Sequence, residues 1–338
     1  MTTIPVRPFD RVAVIGAGAW GTAIALAACR AGRAVVLWMR DPERAEALRR
    51  DRENSRYLPG VRLDDGIEVT ADLARVADAQ SLMLVTPAQH LRAVGAALAP
   101  HIRPGTPAVI AAKGIERGTG CRMSEVVEAV MPEAPVAVLS GPTFAAEVAR
   151  GLPSAVTLAC ADAAIGARLV ETLGSRCFRP YLSDDVTGAQ IGGAVKNVLA
   201  IACGIVQGRR LGDNARAALI TRGLAEIARL AQALGARPET LMGLSGLGDL
   251  TLTCTSLQSR NLSLGAALGE GRTLAEVLGE RHSVAEGVHT AAAVVELAGR
   301  HGVDLPICRA VDAILNRGAD IDATITALLT RPFRTESS

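Results

Sequence analysis

The sequence predicts an α/β domain built on a mostly parallel sheet, followed by a second, all-α domain. Three observations lead there. From Arg11 to about Leu182, short β-rich apolar runs alternate with helical patterns. From Asp184 onward strand patterns nearly vanish and one helical pattern follows another. The 338 residues also exceed what a single hydrophobic core usually serves. The expected division is residues 1–183 and 184–338.

In the first part, strands are expected over 12–15, 34–38, 81–86, 108–111 and 136–139, with 155–159 and 177–180 extending the sheet. In the second part, a helix over 185–208 has Ser183 and Asp184 as candidate caps. Another over 214–234 is opened by Asp213 and closed by Gly235, and Pro238 starts the next. Further helices are expected over 263–268, 290–298 and 307–316, with Pro306 at an N-terminal position.

Composition narrows the function. With 49% hydrophobic and 21% charged residues the chain folds, and a net charge of +2 with scattered arginines excludes a nucleic-acid surface. Seven widely spaced cysteines without a Cys-x-x-Cys pair predict neither metal nor disulfides, and suit the reducing cytoplasm. The start, through Pro5 and Pro8 into a strand, shows no export signal. The longest apolar stretch, 191–206, contains Lys196 and is too short to span a bilayer, so the protein is expected not to be membrane-embedded. Of 36 basic residues only Lys113 and Lys196 are lysines. In so arginine-biased a chain a lysine suggests proton chemistry, because an ammonium can be tuned to exchange a proton and a guanidinium cannot.

Directly after strand 12–15 comes Gly16-Ala17-Gly18-Ala19-Trp20-Gly21, then an Ala-rich helix ending near Gly32. Between strand and helix, G-x-G-x-x-G marks a Rossmann-type dinucleotide site, so the cofactor expected is NAD(P)H. Gly16 permits the tight turn, Gly18 admits a pyrophosphate to the backbone, and Gly21 lets helix and strand pack closely. Arg40, at the end of the second strand, would hold a 2′-phosphate and favours NADPH; Asp41 beside it would suit the ribose hydroxyls of NAD, and a solvated Arg–Asp turn is the alternative.

Lys196 has Gly192, Gly193, Leu199 and Ala200 as same-face neighbours, so it is poorly solvated, and the glycines would leave room for a ligand; a lysine reaching solvent from the helix edge is the bland reading. Lys113 follows strand 108–111 at the sheet's carboxyl end, where such folds bind ligands. Gly141 and Thr143, after strand 136–139, would point backbone and hydroxyl donors into the same crevice, unless they form an ordinary turn. In the helical half, Asp249 could orient a substrate hydroxyl or an ammonium, and Arg260 with the Asn261 amides could hold a phosphate; a helix end and surface loop is the competing account. None of the five histidines lies in a comparable glycine-rich context, which argues against a histidine-centred hydride mechanism.

These segments, with Ala112-Lys113-Gly114, the run 140–145, Lys196-Asn197, Gly248-Asp249-Leu250, Ser259-Arg260-Asn261 and Val284-Ala285-Glu286-Gly287, resemble prokaryotic-type NAD(P)-dependent glycerol-3-phosphate dehydrogenases over nearly the whole chain. The resemblance implies that Lys196 exchanges the proton in the interconversion of dihydroxyacetone phosphate and sn-glycerol 3-phosphate. It places Lys113, Gly141, Thr143, Asp249, Ser259, Arg260 and Asn261 around the triose phosphate, and Ala19, Trp20, Arg40, Lys113, Ala145, Arg260, Val284 and Glu286 on the cofactor. Many members carry serine where this chain has Ala19, which removes one hydroxyl contact. A cytoplasmic homodimer supplying phospholipid synthesis is implied. The alternatives are a β-hydroxyacid or 6-phosphogluconate type dehydrogenase, in which asparagine follows the lysine by one helical turn where this chain has Ala200, and a non-catalytic NADPH-sensing protein.

Overall fold

A computed structural model describes residues 6–280, 285–332 and 335. Eight strands form one sheet: β1 (Arg11–Ile15), β2 (Ala34–Trp38), β3 (Ile67–Thr70), β4 (Ser81–Leu84), β5 (Ala108–Ile110), β6 (Val136–Ser140), β7 (Ser154–Cys160) and β8 (Phe178–Ser183), in the order β3-β2-β1-β4-β5-β6-β7-β8. All neighbours are parallel except β6 and β7. Val12, Val14, Met83 and Val109 pack on one face of the sheet, and Ala13, Ile15, Leu82 and Ile110 on the other, so the central strands are apolar on both sides, as a covered parallel sheet requires.

The sheet is covered by α1 (Ala19–Arg30), α2 (Pro42–Asp51), α3 (Leu91–Leu98), α4 (Met123–Val130), α5 (Ala145–Ala149) and α6 (Ala163–Leu173). Beyond it follow α7 (Val186–Gly208), α8 (Asp213–Ala233), α9 (Pro238–Leu241), α10 (Asp249–Thr255), α11 (Arg260–Gly269), α12 (Leu274–Gly279), α13 (Glu286–Arg300), α14 (Pro306–Arg317) and α15 (Ile321–Leu329). The architecture is a Rossmann-like sheet domain followed by a helical domain.

Sequence reasoning missed β3, a four-residue edge strand with Glu68 facing out to Arg75. It also misplaced two caps. Asp185, not Ser183 or Asp184, caps α7 by accepting the Gly188 N–H at 2.8 Å, and Gly212 rather than Asp213 precedes α8.

The hub of the helical domain is α7, buried from Gly188 to Val206. Its glycines permit backbone-to-backbone packing: a Cβ on Gly204 would lie 2.1 Å from the Leu262 carbonyl oxygen, and one on Gly265 of α11 would lie 2.1 Å from that of Ile201. The expectation that this stretch is too short for a bilayer is corrected here, since the helix has 23 residues and a mean hydropathy of 1.5, enough to cross one. Its apolarity is accounted for by the protein, because the whole of its most apolar window is buried inside the fold.

Candidate active site

The dinucleotide loop joins β1 to α1. Gly16 has φ +114°, a left-handed conformation costly to other residues, and its N–H donates to the Trp38 carbonyl at 2.9 Å. A Cβ on Gly21 would lie 1.7 Å from the Gly16 carbonyl oxygen, whereas one on Gly18 would meet nothing within 4 Å. Contact forbids a side chain at Gly21, and Gly18 faces open space. Gly18 is also the N-cap of α1 and offers no capping side chain, so the first-turn amides of Ala19 and Trp20 remain available to an anion. A dinucleotide pyrophosphate fits this cradle. Thr86, beyond the end of β4 and against Gly16, carries a buried hydroxyl without a protein partner. At the end of β2, Arg40 is exposed, while Asp41 turns back to cap α2 by accepting the Arg44 N–H at 3.2 Å.

A second group of side chains converges from three elements. Lys113 lies just past β5, Lys196 midway along α7, and Asp249 at the first position of α10. Lys113 Nζ donates to Asp249 Oδ2 at 2.6 Å, and Lys196 Nζ to Asp249 Oδ1. Lys196 also donates to Thr253 Oγ1 at 2.8 Å, and that hydroxyl donates to the Asp249 carbonyl at 2.6 Å. Asp249 is fully buried and Lys196 only 6% exposed. Burial holds the Lys196 ammonium down to about 8; Asp249 opposes this fall, and the charge of Lys113 adds to it. Sequence reasoning gave Thr253 no role; its signal is the four-residue spacing from Asp249 on one helix.

Asp249 reaches this buried position because a π-helical turn, Leu244–Gly248, leads into α10, with Gly246 pressed against Leu241. The surface-loop alternative for this run is thereby excluded. The idea that Gly192 and Gly193 leave room for a ligand is corrected: a Cβ on Gly192 would lie 2.5 Å from the Ser245 carbonyl oxygen, and one on Gly193 would lie 2.8 Å from Ser140 Oγ. Protein fills that space. These glycines let the strand end and the π turn close around Lys196.

Gly141 supplies an acceptor to the lysine pair. It presents its carbonyl, an acceptor, to Lys113 Nζ at 3.4 Å, and the Thr143 hydroxyl donates to the same oxygen at 3.3 Å. Ala145 opens α5, whose N-cap Phe144 provides no side-chain bond. Ser259 caps α11, its Oγ accepting the Leu262 N–H at 3.2 Å, and exposed Arg260 is the first residue of that helix. The Asn261 carboxamide makes two internal bonds: Nδ2 donates to Asn197 Oδ1 at 2.9 Å and Oδ1 accepts the Gly287 N–H at 3.0 Å. It ties α11 to α7 and α13.

Glu286, the first residue of α13, faces across to the sheet domain, where its Oε1 accepts the Ala88 N–H at 3.4 Å. Desolvation pushes its carboxyl above the usual range, opposed by Arg260, Lys113 and Lys196, so this end of α13 shares the electrostatic neighbourhood of the lysine pair. Val284 lies outside the described residues. One turn beyond Lys196 stands fully buried Ala200, so the lysine–asparagine spacing of the β-hydroxyacid type has no counterpart. Among the described residues, no group of three His, Cys, Asp or Glu side chains is placed to hold a metal.

Two family models match the chain: the NAD-dependent glycerol-3-phosphate dehydrogenase N-terminus over residues 11–165 and the corresponding C-terminus over 185–326. The glycerol-3-phosphate dehydrogenase [NAD(P)+] of Rhodospirillum rubrum is 63% identical over 97% of this chain and 94% of that relative. That of Parvibaculum lavamentivorans is 57% identical over 97% and 99%. The crystal structure of the Coxiella burnetii glycerol-3-phosphate dehydrogenase superposes with a TM-score of 0.92 at 39% identity, covering 97% of this chain and all of that one. With both halves matched in order and the likeness running nearly end to end, the chain belongs to the NAD-dependent glycerol-3-phosphate dehydrogenase family, oxidoreductases that use NAD(P)(H).

Proposed function

We propose that this enzyme reduces dihydroxyacetone phosphate to sn-glycerol 3-phosphate, with Lys196 as the group that gives the carbonyl oxygen its proton and takes it back in the reverse direction. The observation that carries the assignment is the Lys196 ammonium, buried between Asp249 and Thr253 and held down to about 8. An acid poised near working pH exchanges a proton well in both directions. Bound in the Gly16–Gly21 cradle, the nicotinamide cofactor supplies or accepts the hydride. Lys196 then keeps alkoxide charge from accumulating, and Lys113 adds positive potential at the same oxygen. Arg260, with the amides opening α11, anchors the remote phosphate and orients a three-carbon substrate that has few other handles. Ser259 shapes that anchor as the helix cap, and Asn261 holds it to α7.

Incubation with dihydroxyacetone phosphate and either NADPH or NADH is expected to consume the reduced nicotinamide absorbance and to form sn-glycerol 3-phosphate. No oxidation with either cofactor would overturn the substrate assignment.

On the cofactor side, Gly16, Gly18 and Gly21 form the loop, with Ala19, Trp20, Ala145 and Glu286 beside the nucleotide. NADPH is the favoured partner, supported by exposed Arg40 and by the use of Asp41 as a helix cap. Arg40→Ala is expected to weaken NADPH by roughly 10-fold or more, the scale of a lost charge-assisted bond. NADH should be nearly unaffected in the same fluorescence titration, and equal loss for both would remove the 2′-phosphate assignment. We put the domain boundary between 183 and 184, a reading supported by the end of β8 at Ser183 and the α7 cap at Asp185. A cytoplasmic homodimer feeding phospholipid synthesis completes the proposal, and the seven free cysteines suit a reducing compartment.

A further inference from the structure

The dinucleotide loop is held by a residue 37 positions further along the chain. Asn54 follows α2 in a turn where the N–H groups of Tyr57 and Leu58 donate to its carbonyl at 3.1 and 2.7 Å. Its side chain points back under the loop and is buried. Nδ2 donates to the Ala17 carbonyl at 2.9 Å and to Thr22 Oγ1 at 2.8 Å. The Thr22 hydroxyl, 1% exposed, passes the constraint on by donating to the Gly18 carbonyl at 2.9 Å. The three protons involved, two on the amide and one on the hydroxyl, each have one acceptor.

We infer that Asn54, acting through Thr22 and the backbone, is a positioning residue for the cofactor's pyrophosphate. This rests on the family's use of NAD(P)(H) at the Gly16–Gly21 loop. In a planar trans peptide the N–H points opposite to the C=O, and no peptide among the described residues is cis. Drawing the Ala17 and Gly18 carbonyls towards Asn54 and Thr22 therefore turns the N–H groups of Gly18 and Ala19 away from them, to the side that an anion can reach. The constraint matters because glycines flank this segment. The peptide between positions 17 and 18 rotates about ψ of Ala17 and φ of Gly18, and Gly18 has no Cβ to resist a flip that would present a carbonyl oxygen to the pyrophosphate. The asparagine donor removes that alternative.

The test compares Asn54→Ala and Thr22→Val with the unaltered enzyme, using NADPH and adenosine 2′-monophosphate, which lacks the pyrophosphate, as probes. NADPH Kd and KM are expected to rise roughly 5- to 100-fold in Asn54→Ala, the scale of a buried donor lost with its acceptors left unpaired. Thr22→Val, which leaves the Asn54 turn in place, is expected to show a smaller rise. The inhibition constant of adenosine 2′-monophosphate should not change, and kcat should fall far less than KM rises. Equal weakening of both probes in both variants would show general damage to the nucleotide site and overturn the inference, as would unchanged NADPH binding. An unaltered enzyme that fails to bind NADPH would overturn the cofactor reading itself.

Discussion

Lys196→Ala is expected to lower kcat for dihydroxyacetone phosphate reduction by roughly 10³-fold, within the range for loss of a general acid, while NADPH still binds. The separation follows from the geometry. Lys196 belongs to α7 and contacts Asp249 and Thr253, whereas the dinucleotide cradle is built by β1, α1 and the end of β4. Lys196→Arg should fail almost as badly, since a guanidinium supplies the charge but does not release its proton near neutral pH. The pH dependence gives an independent reading. Reduction needs the protonated amine, so its rate should fall as pH rises through about 8; oxidation needs the free amine and should rise over the same interval. Turnover within a few-fold of the unaltered enzyme in either variant would remove Lys196 from the chemistry.

How far the sequence already contained this site depends on the range of the signal. The glycine loop was legible because its determinants are local: a strand, three glycines at fixed spacing and a helix. The lysines were legible because arginine has displaced every other lysine. Less visible was what each polar group does once packed. Asn261 has the chemistry to bind a phosphate, but its carboxamide also bonds Asn197 and Gly287, partners 64 and 26 residues away that no local pattern points to. Gly192 and Gly193 read as ligand space because a sequence cannot show that the π turn and the end of β6 press on them. Gly141 turns its carbonyl towards Lys113, a contact between segments 28 residues apart that the local sequence does not reveal. The length of α7 was underestimated because polar Thr187 and Gln190 stand at its start, ahead of the apolar stretch, and only burial against the surrounding helices separates it from a bilayer span.

Asp249→Asn is expected to cost roughly 10²-fold in kcat at pH 8 and to move the pH limbs towards acid by about a unit or more. Each oxygen of the buried carboxylate holds one lysine, Lys113 at 2.6 Å on Oδ2 and Lys196 on Oδ1. An amide of the same shape keeps one acceptor, substitutes a donor for the other, and removes the negative charge. Two ammonium groups then face each other without the carboxylate that had bridged them. The one with less solvent, Lys196, gives up its proton first. Burial already holds Lys196 down to about 8, and Asp249 is the chief influence opposing that fall. Its loss must lower the value further. In the reductive direction the enzyme would then enter neutral solution with its acid already discharged, so the falling limb should appear at lower pH. In the oxidative direction the free base would be present at lower pH but would be weaker, so the rising limb should also shift to acid with a reduced plateau. Thr253 cannot compensate, because a hydroxyl that accepts from Lys196 stabilises the ammonium without balancing its charge. Limbs that stay near pH 8 with turnover intact would mean that Asp249 merely joins α10 to α7, and that the proton affinity of Lys196 is set elsewhere.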